Sequence, residues 1–277
     1  MKKRKIIICM VLTSILILVA SLSGCISGVK IYDYTDAEYE AAENTILEII
    51  NVNGFVNVSG WDGDTIFLNI EKFTSKRYGE DEFEKVNINV NEIDNKIIIE
   101  TVYLEKIAYS RVAVNLDIKV PMYVTVESVK TLNGGIYLSN IKGDVQVDVK
   151  NGIICVCDVE GYVDIKTLNG PVDVKNTMGT NDISTINGVV CAEIHDFNKD
   201  IEISTVNGVM DVYINPELDA NLEIKVKSIA GFISLNDMES LLNITKCTCR
   251  HVVATLGNGG DKINLYVTTG LIDIHKL

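Results

Sequence analysis

Three acidic side chains, Asp164, Asp182 and Glu202, recur at near-equal intervals within alternating apolar segments. If each segment is a strand in a parallel stack, they form an outward acidic column on successive rungs about 4.8 Å apart. Carboxylates that close could hydrolyse a glycosidic bond or hold calcium. The tract offers such chemistry few helpers, since no arginine lies between Arg111 and Arg250 and His195 is its sole imidazole. The plainer reading is a solvated acidic face, partly neutralised where Asp148 meets Lys166 one repeat later. A noncatalytic domain with no catalytic residue and no cofactor is therefore expected, and a polysaccharide-acting enzyme ranks as the third reading.

Cysteine chemistry is the other candidate. Cys9 and Cys25 fall near the N-terminus, leaving Cys155, Cys157, Cys191, Cys247 and Cys249. Strand alternation turns Cys155, Cys157 and Cys191 outward, opposite Ile154 and Val156. Cys247-Thr248-Cys249-Arg250-His251 would put two thiols and an imidazole on one strand face, a set that suits a soft metal. A C-x-C-x-H run is nevertheless a weak zinc signal beside paired C-x-x-C motifs. The odd count argues against complete disulfide pairing, so free thiols are expected and disulfides between the two groups are the alternative. Asp62-Gly63-Asp64 reads as a turn, because it lacks the remaining ligands of a calcium loop. Asn57-Val58-Ser59 and Asn243-Ile244-Thr245 are candidate glycosylation acceptors at Asn57 and Asn243.

The elements that must position these groups are repeats. Asn-Gly occurs at Asn133-Gly134, Asn151-Gly152, Asn169-Gly170, Asn187-Gly188 and Asn207-Gly208, and a diverged copy follows at Ala230-Gly231. Ile136, Ile154, Val172, Val190 and Met210 form one apolar column; Leu138, Val156, Val174, Ala192 and Val212 form a second; Val147, Ile165, Ile183 and Ile203 form a third. Alternation within each copy is that of strands. Asn-Gly supplies the positive φ of a tight corner. One copy buries about six apolar side chains, worth about 10 kcal/mol gross, while ordering its backbone costs on the order of 20 to 30 kcal/mol. A single copy should not fold, whereas stacked copies bury one another's faces. The expected fold is all-β, a β-solenoid of ~18-residue two-strand coils. An antiparallel meander or β-sandwich is the alternative, because Asn-Gly is also a hairpin signal.

Residues 45–130 also read as strands and are expected to cap one end of the stack, so that 45–130 and the repeat region 131–277 make one continuous domain. Residues 26–44 read as a polar spacer with a short helical turn. Ahead of them Lys2, Lys3, Arg4 and Lys5 precede an uncharged apolar run from Ile6 to Ala20, the layout of a secretory signal. Leu22-Ser23-Gly24-Cys25 resembles a lipobox, which implies lipidation at Cys25 and removal of residues 1–25 as a lipoprotein signal peptide. An uncleaved membrane anchor is the alternative and gives the same topology, with the domain on the extracellular side of the cell membrane. Cleavage would take the formal charge from −13 to −17. Nucleic acid is excluded as a partner on that charge, since binding it relies on Lys and Arg.

The series Val52-Asn53-Gly54-Phe55-Val56-Asn57-Val58-Ser59-Gly60-Trp61-Asp62, then Ile118-Lys119-Val120-Pro121, then the Thr-x-Asn-Gly copies at Thr131, Thr167, Thr185 and Thr205, resembles the putative-adhesin family of repetitive β proteins, which is related to the toastrack domains of envelope-stress systems. Leu256-Gly257-Asn258-Gly259-Gly260 and Thr269-Gly270-Leu271-Ile272-Asp273-Ile274 resemble its C-terminal pattern, so the match spans roughly Ile46 to Leu277. These are turn and core motifs, which specify fold better than function. The resemblance implies a surface protein that binds envelope proteins, glycans or external ligands, with a role in an envelope-stress or signalling complex as the second reading.

Overall fold

A computed structural model describes residues 29–106 and 110–277; the basic segment, the apolar run and Cys25 lie outside the described residues. The described residues are all-β, and their 19 strands join in one hydrogen-bonded sheet. Apart from strands the described residues hold two short 3₁₀ turns, Glu80–Lys85 and Asn236–Leu241. No helix among them is long and apolar enough to cross a membrane.

The repeats build two parallel ladders. In the first, β8 (Thr125–Asn133), β10 (Val145–Asn151) and the second halves of β11 (Ile154–Asn169) and β12 (Val172–Asn187) lie side by side. The first halves of β14 (Ile201–Ile214) and β19 (Lys262–Lys276) continue it. In the second ladder, β9 (Ile136–Lys142) is followed by the first halves of β11 and β12, then β13 (Val190–Ile194) and the second halves of β14 and β19. The three apolar columns are the registers themselves: Val147 pairs with Ile165, Ile165 with Ile183 and Ile183 with Ile203. All are buried, and the inward residues of both ladders share one core. Because every repeat pairs with the next in parallel, the antiparallel meander is absent from this tract.

Residues 45–130 both extend and cap the ladders. β2 (Ile46–Ile50) sits parallel between β8 and β6 (Lys96–Tyr103), and β3 (Val56–Trp61) sits parallel between β9 and β7 (Ala113–Pro121). Antiparallel strands then close that end: β5 (Val86–Ile93) on β6, and β4 (Thr65–Ser75) on β7. The segment read as a polar spacer is a strand over most of its length, since β1 (Lys30–Glu40) pairs antiparallel with β4 along all of its residues. Its side chains remain largely exposed, so no apolar alternation announced it; backbone pairing holds it, helped by the Asn69 amide that donates to Asp36 at 2.6 Å and by Tyr32 against Phe73.

At the opposite end, space and sequence part company. Ala230-Gly231 was expected directly after Asn207-Gly208, yet β19 occupies that rung: Gly208 pairs with Gly270, and Gly231 lies beyond Gly270. β15 (Ala220–Val226) and β16 (Ile233–Ser234) pair with the outer edge of β19. β18 (His251–Leu256) and β17 (Leu242–Thr248) then add antiparallel strands outside β15.

The corner glycines also differ from expectation. Positive φ occurs at Gly54 (118°), Gly134 (148°), Gly170 (139°) and Gly270 (149°), whereas Gly152, Gly188 and Gly208 are not in that region. Close approach is what all of them share. A Cβ built on Gly152 would stand 1.6 Å from the carbonyl oxygen of Gly134, and one on Gly188 would stand 2.1 Å from that of Gly170. Gly152→Ala should therefore destabilise the protein by about 2 to 3 kcal/mol through overpacking against a neighbouring backbone, although its φ would accept alanine. Equilibrium urea unfolding of the variant measures this, and unchanged stability would remove the close-approach explanation.

Candidate functional site

The Asn-Gly corner joins the two ladders. Each asparagine donates its side-chain amide to the side-chain oxygen of the one before: Asn133 to Asn53 at 2.8 Å, Asn151 to Asn133 at 2.9 Å, Asn169 to Asn151 at 2.8 Å, Asn187 to Asn169 at 2.7 Å and Asn207 to Asn187 at 2.9 Å. The following glycine N–H donates to the next asparagine carbonyl, as Gly152 does to Asn169 at 2.9 Å. Two residues earlier Thr131, Thr167, Thr185 and Thr205 point inward and are buried, each with a hydroxyl that lacks a hydrogen-bond partner among the described residues. Between the threonine and the asparagine, Leu168, Ile186 and Val206 are 40%, 41% and 40% exposed on consecutive rungs. The outer edge of the corner is thus a row of amides flanked by a row of aliphatic side chains.

Asp164, Asp182 and Glu202 stand on successive rungs of the first ladder, with a lysine among them. Lys199 Nζ lies 3.3 Å from Asp164 and 3.0 Å from Asp182, bridging two rungs. The backbone N–H of Asp182 donates to Asp164 at 3.3 Å, and that of Glu202 donates to Asp182 at 2.8 Å. The lysine holds its proton more tightly than usual, chiefly through the Asp182 hydrogen bond. Carboxylates engaged in this way are poor candidates for acid–base work. Further along the face, Glu48 is held by Lys96 at 2.9 Å and Lys130 at 3.3 Å, and its carboxyl lies below its ordinary pKa, foremost because of the Lys96 hydrogen bond.

Cys155, Cys157 and Cys191 do project from the outer face of the second ladder, and all five described cysteines are free. Register places Asp173 between Cys155 and Cys191, so those two thiols are separated by a rung. Burial foremost, then the Asp173 charge, pushes Cys155 up to about 11 and Cys191 up to about 12. Such thiols stay protonated at neutral pH, which disfavours both nucleophilic attack and metal binding. Nearby, burial and Asp273 raise the Asp211 carboxyl, while the Tyr213 and His275 rings stack with centroids 4.9 Å apart.

The run from Cys247 to His251 is not one strand face. β17 ends at Thr248 and β18 begins at His251, so Cys249 and Arg250 form the turn of a hairpin in which Thr248 pairs with His251. Cys247 and Cys249 are exposed, while His251 turns toward Glu223 at 3.2 Å. This set lies on the first ladder's extension, so Cys247 and Cys249 cannot reach the thiols on the second ladder. Among the described residues no group of three or more His, Cys, Asp or Glu side chains could hold a metal. Of the two sequons, Asn243 is exposed on β17, whereas the Asn57 amide donates to Asp117 at 2.7 Å within the ladder.

No protein-family model and no curated protein matches the chain. Solved structures with a similar course include a putative cell adhesion protein from Clostridium sporogenes, 13% identical, TM-score 0.34, over 90% of this chain and 100% of that one. Others are a putative adhesin from Bacteroides fragilis, 11% identical, TM-score 0.41, over 88% and 97%, and a putative lipid binding protein from Parabacteroides distasonis, 10% identical, TM-score 0.39, over 89% and 96%.

The thiol environments give an expected outcome. At pH 8, brief iodoacetamide treatment of the folded protein should alkylate Cys247 and Cys249 and spare Cys155 and Cys191 until denaturant is added, as read by peptide mass spectrometry. Because folding raises both pKa values, the stability they contribute is complete below about pH 9 and declines as pH rises towards about 12. Cys191→Ala should accordingly flatten the alkaline loss of stability in denaturant titrations.

Proposed function

We propose that the chain is a noncatalytic, lipid-anchored envelope protein that winds its repeats into a β-solenoid and displays the outer faces to envelope components or external ligands. The observation that carries this reading is the uninterrupted stacking of the Asn-Gly corners from Asn53 to Asn207, which fixes a long, regular and rigid surface. Rigidity of that kind suits recognition, because little conformational entropy is lost when a partner is bound. The two clusters with catalytic potential are each quenched, the carboxylates by Lys199 and the thiols by burial.

Anchoring follows from the basic segment, the apolar run and Cys25. In cells fed labelled palmitate, the wild-type chain should carry label and sediment with membranes, whereas Cys25→Ser should lose the label and retain its uncleaved signal. Membrane association without label would replace the lipid with an uncleaved anchor, and a fully soluble wild-type chain would overturn the reading. Asp164→Asn and Asp182→Asn should leave polysaccharide release at background, and a measurable activity lost in either variant would overturn the noncatalytic assignment.

A further inference from the structure

The end of the stack away from β1 gathers several basic side chains in this acidic chain. Lys225 pairs with His251 across β15 and β18, and Lys225 stands beside Tyr266 across β15 and β19, so the three side chains occupy adjacent strands in one outward row. Lys227 and the hairpin turn of Thr248, Cys249 and Arg250 close that row into a groove of about 440 Å³. Glu223 meets two of these side chains, the Lys225 ammonium at 2.5 Å and the His251 ring at 3.2 Å. Lys227 and Arg250 form no ion pair among the described residues. Two unpaired cations converging on a concave surface, in a chain of net charge −13, mark a place where an anion would supply the missing partner.

We propose that this groove binds one anionic sugar unit, through a carboxylate, sulfate or phosphate held by Arg250 and Lys227. Its volume lies near the lower end of small-molecule pockets, which suits a single sugar. Tyr266 offers a ring beside the cations, and Thr248 offers a hydroxyl for a neighbouring sugar oxygen. A long polyanion such as nucleic acid would run onto the surrounding acidic surface and be repelled. Six to eight strand spacings of the first ladder, about 30 to 40 Å, separate the strands of this groove from β2, at the end where β1 leads back to the N-terminal segment. The ligand's source therefore rests on the display reading above: from that distance the groove faces outward, away from lipid headgroups around the anchor.

The test uses the full chain in neutral-lipid nanodiscs, titrated with glucuronate, glucose 6-phosphate, inorganic phosphate and glucose by calorimetry. Glucuronate or glucose 6-phosphate should saturate with a Kd of about 1 mM, and glucose should not bind. Arg250→Gln and Lys227→Gln should each weaken binding roughly tenfold, as loss of a charge-assisted hydrogen bond implies. Glu223→Gln should tighten it by releasing Lys225 and His251, a gain that misfolding could not mimic. Absence of saturable binding by both sugar acids, equal affinity in the Arg250→Gln/Lys227→Gln double variant, or inorganic phosphate binding as tightly as both sugars would overturn the proposal. Calorimetry on purified protein is blind to anchoring, so failure here leaves the palmitate result at Cys25 intact, and the reverse holds.

Discussion

Everything in the repeat tract depends on how closely one backbone passes over another at the corner. The glycine carbonyl of each rung occupies the space in which the next rung's Cβ would stand, at 1.6 to 2.1 Å from Gly152 through Gly208. Only glycine permits that approach, and the approach in turn aligns the asparagine amides and the backbone bond beside them. The corner lies at the junction of the two ladders, so fixing it fixes both registers together. A one-residue slip would turn each buried column to solvent, and the stacked glycines leave no room for it.

Long excursions from the stack are tolerated because the chain returns to the same corner geometry. Asn53 accepts from Asn133, 80 residues later. The intervening strands β4 to β7 leave the ladder and come back as its cap. Likewise β15 to β18 leave after β14, and β19 returns to take the rung next to it. Such returns are costly in loop entropy only logarithmically. They give each end antiparallel strands, and the exposed β1 carries Asp33, Asp36, Glu38 and Glu40, charges that discourage a further chain from pairing there.

Periodicity made the repeat core legible, and non-local pairing hid the rest. Val147, Ile165, Ile183 and Ile203 could be aligned because an aliphatic residue in every copy records the same constraint. β1 left no such record, since its side chains are largely exposed. The place of β19 depended on contacts remote in sequence, which no local pattern encodes. A second corner is marked by Asn140, Asp158 and Asn176, at 18-residue spacing, which adopt positive φ of 54°, 55° and 48°. Asparagine and aspartate tolerate that conformation better than other non-glycine residues. Beyond Asn176 the pattern fails, and the register shifts around Val159 and Tyr162 accompany the buried Thr177 that replaces an aliphatic residue. The acidic column was legible by the same rule as the core, but Lys199 reaches it from a loop, so its neutralisation was not. The hairpin at Cys249 and Arg250 was missed because Cys-Thr-Cys-Arg-His carries none of the usual turn residues.

Charge placement separates structure from function more clearly than charge number does. Most of the cations noted above serve as ties within the acidic surface: Lys96 and Lys130 hold Glu48, Lys199 spans Asp164 and Asp182, and Lys225 meets Glu223. Exposed pairs of this kind add little stability individually, yet they remove the carboxylates from chemistry and keep rungs of like charge from repelling one another. A face tied in that way withholds those carboxylates from proton transfer. What it retains is shape: a row of amides and aliphatic side chains repeated along the corner at the strand spacing. Recognition by such a surface would be read through geometry along the stack, with charge reserved for its distal end, where Lys227 and Arg250 stand apart from the ties that engage the other cations.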